Sequence, residues 1–190
     1  MTYIYMAGSL LLWSASVRFR VVLGAFGVAL LATACSSVPT STARKPDPAG
    51  AKPSEIALEV CAPMAQSELA EDLGVKAVVE GRRWIAHRYS CNYVYPNGTI
   101  QLSVQELSSW DQTFGYYHGL GHQLGDTEFL GNLGQGAFRT KSGDVVVRKD
   151  WKVLLVNISG LPGQFGVPPT SAPDVAYTVA DVILACWAGD

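Results

Sequence analysis
From residue 55 onward the chain alternates between two hydrophobic periods. In 55–73, Leu69 and Leu73 stand four apart and Gly74 follows as a natural helix stop. Pro63 divides this stretch into a lead-in and a helix over 64–73, because a proline pushes the residue before it, Ala62, out of helical geometry. Residues 75–80 and 84–95 read as extended. In the second, Tyr89, Cys91, Tyr93 and Tyr95 share one face. Pro96-Asn97-Gly98 is a hairpin turn, and Ile100, Leu102 and Val104 alternate with polar residues on the return strand 99–106.

Ser108-Ser109 caps a helix that begins at Trp110, with Asp111 in its first turn, and Gly119 and Gly121 are expected to end it near Leu120. Four short extended pieces follow, at 128–130, 136–140, 145–148 and 151–158, joined by Ser142-Gly143-Asp144 and Lys149-Asp150. After a Gly/Pro-rich loop at 160–173, Pro173-Asp174 opens a last helix to about Trp187, with Val175, Val179, Val182 and Ile183 along its apolar stripe. The order is helix, strands, helix, strands, helix. It predicts an α+β domain over 55–190, an antiparallel sheet with helices packed on one face.

The N-terminal part is of another kind. Residues 1–34 hold no Asp or Glu, and Arg18 and Arg20 precede an apolar run from Val21 to Leu31. Leu31-Ala32-Thr33-Ala34-Cys35 follows, so a basic region, an apolar region and small residues stand before a cysteine. The segment resembles a bacterial lipobox. That resemblance implies a signal peptide over 1–34 and a diacylglycerol thioether on Cys35, with Ala32 where the pattern prefers leucine. The 14 residues from Val21 to Ala34 are short of the ~20 needed to span a bilayer. Residues 3–15 form a second apolar stretch that a signal peptide does not need. It reads either as a start assigned too early, translation beginning at Val17, or as a two-part leader. Residues 35–54, rich in Pro, Ser, Thr and Ala, cannot bury enough surface to offset ordering and read as a disordered tether.

Composition narrows the function classes. Of 190 residues 16% are charged, and the net charge is −2, so no basic excess exists to neutralise phosphates and no nucleic-acid partner is expected. An exported domain meets oxidising conditions. Its three cysteines, Cys61, Cys91 and Cys186, leave connectivity open, and placement favours Cys61–Cys91 with Cys186 a buried thiol.

Several stretches resemble a known group: the lipobox and tether, a cysteine ahead of Glu68-Leu69-Ala70-Glu71-Asp72-Leu73-Gly74, Cys91-Asn92-Tyr93, Leu130-Gly131-Asn132-Leu133-Gly134-Gln135-Gly136-Ala137-Phe138, and Val145-Val146-Val147-Arg148-Lys149. Together they look like the small actinobacterial lipoproteins of unknown function, mycobacterial ones among them. They are distantly similar to extracellular sensor domains of actinobacterial receptor kinases. The resemblance carries no catalytic residue. Where its pattern has an acidic residue, Gln135 stands here.

Chemistry-bearing constellations are few. His118 and His122 have a metal-ligand spacing with Asp126 as a third partner, but the helix is expected to end between them, so they read as exposed turn histidines. No nucleophile elbow and no phosphate loop opening a helix is present, so no catalytic residue, metal or cofactor is assigned. The aromatic content would suit an aromatic-lined groove for an apolar or glycan ligand. The sequence thus reads as a non-enzymatic envelope lipoprotein, held through Cys35 at the outer face of the cytoplasmic membrane and binding an envelope protein or small ligand. The alternative is an envelope-acting hydrolase or metal-dependent enzyme.

Overall fold
A computed structural model of the chain describes residues 46–187. The leader, Cys35 and the tether as far as residue 45 lie outside the described residues. The fold is α+β. Seven antiparallel strands run in the order β1-β2-β3-β7-β6-β5-β4, joining a three-strand meander to a four-strand one through β3 and β7. The strands are β1 (Val78–Ile85), β2 (Arg88–Tyr95), β3 (Gly98–Glu106), β4 (Asp126–Phe129), β5 (Gly136–Thr140), β6 (Val145–Lys149) and β7 (Lys152–Gly160). A two-strand pair, β8 (Gln164–Phe165) and β9 (Thr170–Ser171), lies in the segment expected to be loop. The helices are α1 (Glu55–Glu59), α2 (Pro63–Leu73), α3 (Trp110–Leu124) and α4 (Ala172–Cys186). No helix among the described residues is long and apolar enough to cross a membrane.

Local chemistry sets the helix ends. Pro63 occupies the first turn of α2, Ala62 before it is extended at ψ 157°, and Gly74 closes the helix at φ 64°. A side chain at Gly74 would also run into Val167 O, so glycine is required twice over. The start of α1 is fixed from afar. The Glu106 carboxylate accepts the Ser54 amide at 3.0 Å and the Ser54 hydroxyl, while Ser54 Oγ accepts the Ala57 amide. The end of the tether lies on the domain at the β1–β2 corner. Ala49 N donates to Leu107 O, Trp84 Nε1 donates to Ala51 O, and His87 Nδ1 lies 3.0 Å from Gly50 O.

The larger core lies on one sheet face, where Cys91, Tyr93, Ile100, Leu102, Val104, Val145, Val147, Leu154 and Val156 meet α1, α2 and α4. A disulfide joins Cys61, at the α1–α2 junction, to Cys91 on β2, as placement favoured; Cys186 is a free, half-buried thiol on α4. Burial raises its pKa, and the Glu68 and Glu59 carboxylates add to the rise.

Three expectations are corrected. Not all helices lie on one face: α3 packs on the opposite face, where Tyr117 meets Phe138, Val146 and Val153. This accounts for the unbroken Val145-Val146-Val147 run, since β6 is covered on both sides and both parities must be apolar. Second, the extended stretch 84–95 is two strands, split by a two-residue turn at Ala86 and His87 with φ of 50° and 58°. Third, α3 does not stop near Leu120 but runs through Gly119 and Gly121 to Leu124, where Gly125 caps it at φ 72°.

Candidate functional site
The longer α3 forms one wall of a cleft on its side of the sheet. Ser109 caps the helix by accepting the Gln112 amide at 3.3 Å. Tyr117 is the anchor, buried with its ring edge-on to Phe138 at 5.1 Å. Three residues before it Phe114 projects outward, and Trp110 lies one turn further back; they are 48% and 47% exposed. Across from the helix, edge strand β4 ends in Phe129, 76% exposed. Between them lies a cleft of about 460 Å³, lined by Phe114, Tyr117, His118, Gly121, Asp126, Glu128, Phe129, Gln135, Gly136, Phe138 and Arg148.

Strand alternation puts a charge at its floor. On β6, Val146 faces α3, so Arg148 two residues on faces the same way. Arg148 is only 7% exposed. Its guanidinium carbon lies 4.4 Å from the Trp110 ring centroid and 5.8 Å from those of Phe114 and Tyr117. One Nη donates to Gln135 O and the other to Gln135 Oε1 at 3.4 Å. Gln135 is itself fixed: its amide donates to Arg148 O at 2.7 Å, its Oε1 accepts the Asp150 amide and its Nε2 donates to Asp150 Oδ1. Arg148 Nε is buried without a hydrogen-bond partner among the described residues.

The rim is acidic. Glu128 Oε2 lies 2.9 Å from Arg139 Nε, and Asp126 is exposed. Burial raises the Tyr117 pKa; Arg148 opposes the shift and Asp126 adds to it. Gly136 leaves an opening beside the cation, since a Cβ there would lie 3.5 Å from Arg148 Nη2 and 3.6 Å from the Tyr117 hydroxyl.

The structure divides the residues singled out by spacing. His118 lines the cleft with its ring 4.2 Å from Phe114, and Asp126 lines it too. His122, although on the same helix, is exposed and not part of the lining. Among the described residues no group of three His, Cys, Asp or Glu side chains is placed to hold a metal ion. Arg148 was missed because it sits at the end of an apolar strand run. The legible signal was a cation on the same strand parity as Val146. A second, smaller groove of about 270 Å³ lies on the uncovered face of β1–β3, between Arg83, Arg88, Ser90 and Gln101. Its arginines are exposed, so it lacks the buried charge that distinguishes the α3 cleft. Comparison with protein-family models, with curated proteins and with solved structures finds no match to this chain.

Proposed function
We propose that this protein is a non-enzymatic envelope lipoprotein that binds a small ligand in the cleft between α3 and β4. In this reading Cys35 carries the lipid, and the tether presents the domain at the outer face of the cytoplasmic membrane. The observation that carries the binding role is the aromatic wall. Phe114 and Phe129 leave large apolar surfaces open around one concavity, with Trp110 exposed beside it on the Arg148 guanidinium, whereas the sheet core buries its rings. Exposed apolar surface gathered at a cleft of this size marks a ligand site. That no three His, Cys, Asp or Glu side chains converge among the described residues supports binding over metal-assisted hydrolysis, which needs its ligands together.

The test uses a neutral apolar fluorophore, phenylnaphthylamine, whose emission rises when it leaves water. The purified protein should bind it saturably. The double variant Phe114→Ala, Phe129→Ala, which removes exposed rings only, should bind it about tenfold more weakly, two ring contacts being worth ~0.5–1.5 kcal/mol each. Equal affinity in both proteins would refute the site.

A further inference from the structure
We propose that the cleft selects an oxyanion, a carboxylate or phosphate, borne on an apolar body, and that Arg148 receives it. This rests on the reading of the cleft as a binding site and names the chemistry of its ligand.

The argument begins with a charge that the fold leaves uncompensated. Arg148 is 7% exposed, and an arginine stays protonated at all ordinary pH. Burying an ion is costly unless it is paired and hydrogen-bonded. Arg148 forms no ion pair with a carboxylate among the described residues; its hydrogen bonds go to the neutral Gln135, and its Nε has no partner. Trp110 stacks on the guanidinium and shields it further from water. Neither rim carboxylate forms a salt bridge with it among the described residues: Glu128 is engaged by Arg139, and Asp126 is exposed.

Space and donors are present for an anion. The position left vacant by the missing side chain of Gly136 lies within 3.6 Å of both Arg148 Nη2 and the Tyr117 hydroxyl. A ligand oxygen cannot sit at that position itself, a bond length from the Gly136 Cα. The two donors that flank it, one cationic and one neutral, both line the cleft with no Gly136 side chain between them, so an anion in front of Gly136 can reach both, and burial favours the protonated hydroxyl. Charge-assisted hydrogen bonds are about twice as strong as neutral ones. From that point the cleft opens between Phe114 and Phe129, which accept an apolar body. The Asp126 carboxylate on the rim disfavours a polyanion, so the fitting ligand has one charged end.

Anilinonaphthalene sulfonate and phenylnaphthylamine share one aromatic skeleton and differ by the anion. The sulfonate should bind the wild-type protein about tenfold more tightly, the lower end of what a charge-assisted hydrogen bond supplies. Arg148→Gln should abolish that preference. Gln135→Glu, made together with Asp150→Asn so that no second carboxylate faces the new one, changes an exposed side chain already in contact with Arg148 and supplies the missing carboxylate. It should lower the affinity for the sulfonate far more than that for the neutral fluorophore and so remove the preference, which decides the matter even where Arg148→Gln fails to fold. Equal affinities in the wild type, or a preference that survives Gln135→Glu with Asp150→Asn, would overturn the proposal. Failure of both fluorophores to bind would instead overturn the cleft as a site. Competition identifies the source of the anion. Displacement of the sulfonate by monomeric laurate assigns a soluble ligand, and displacement by phosphatidylglycerol vesicles but not phosphatidylcholine vesicles assigns a lipid headgroup. Displacement by neither overturns the assignment of a natural carboxylate or phosphate.

Discussion
The Tyr93 hydroxyl donates to Val60 O at 2.8 Å, directly beside the disulfide from Cys61 to Cys91. The α1–α2 junction is therefore held to β2 by a covalent link and a buried hydrogen bond one residue apart at one end and two at the other. The two differ in kind. The disulfide closes a loop with a sequence separation of 30 and acts chiefly on the unfolded chain. The hydrogen bond acts only in the folded state. Cys61→Ser with Cys91→Ser should cost roughly 3–4 kcal/mol in urea unfolding by the chain-entropy account. Tyr93→Phe, which leaves Val60 O without that donor, should cost about 1–2 kcal/mol. A Tyr93→Phe loss larger than that of the disulfide would show the clamp ranked wrongly.

Tyr95 makes the opposite case. Its hydroxyl is buried with no hydrogen-bond partner among the described residues, its ring edge-on to Phe165 at 4.8 Å. Burial pushes its pKa from 10.0 up to about 12, and that of Tyr93, also by burial first, higher still. Both groups keep their protons longer when folded. Their stabilising contribution is thus intact below pH 10 and is lost as pH rises through the folded pKa values. Between about pH 10 and 12 each should lower stability by about 1.4 kcal/mol per pH unit. Tyr95→Phe should be neutral or slightly stabilising at pH 7 and should flatten the alkaline fall of the melting temperature. A clear loss at pH 7 would mean the hydroxyl has a partner.

The glycines inside α3 permit a stability gain. Gly115 and Gly119 have no neighbour within 4 Å of a would-be Cβ, and neither has a positive φ. Alanine should therefore relieve the entropic cost of helical glycine without a clash, adding about 0.8–1 kcal/mol at each position. Gly121 is the contrast, because a Cβ there would stand not in open space but in ordinary contact with the Asp126 side chain at 3.5 Å. Thermal melts of Gly115→Ala and Gly119→Ala rising by a few degrees would agree; a fall at either would mean that α3 ends where the glycines begin.

Those glycines also mark the limit of what patterns along the chain convey. Period-2 alternation in β2 and β3 and the Asn97-Gly98 turn were legible because one sheet face is dry and one is wet there. So were Pro63 and Gly74, whose backbone restrictions act locally. The Ala86–His87 turn was not, since Ala does not advertise positive φ, a lone His does so only weakly, and the β1–β2 pairing imposes it. The length of α3 was hidden too, because packing of Tyr117 on Phe138 overrides the poor propensity of Gly119 and Gly121. The cleft depends on both corrections to α3, its length and its face, so it could not be assembled before they were known. The spacing of His118 and His122, with Asp126 as a third partner, was weighed as a metal set and read instead as exposed turn residues, whereas the structure puts His118 on α3 and lines the cleft with it and Asp126. Arg148 emerges only once β6 is covered on both sides.

The last prediction concerns Cys35, outside the described residues, and rests on the sequence. Arg18 and Arg20, the apolar run to Leu31 and the small residues before the cysteine form a lipobox-like segment. A diacylglycerol thioether supplies two acyl chains, and each buried methylene contributes ~0.8 kcal/mol, so two chains hold where a single chain is marginal. If this is the anchor, Cys35→Ser should block lipid transfer and the cut that depends on it. Metabolic labelling with a fatty acid should mark the wild-type chain and not the variant. Detergent partition should move the wild-type protein into the detergent phase. The domain itself should not change, because Cys35 stands ahead of the 55–190 domain in the sequence and takes no part in the Cys61–Cys91 link, and the melting temperature of the purified variant tests this. A labelled Cys35→Ser chain would sink the lipoprotein reading. An unlabelled wild type that still pellets with membranes would point to an uncleaved apolar leader as the anchor.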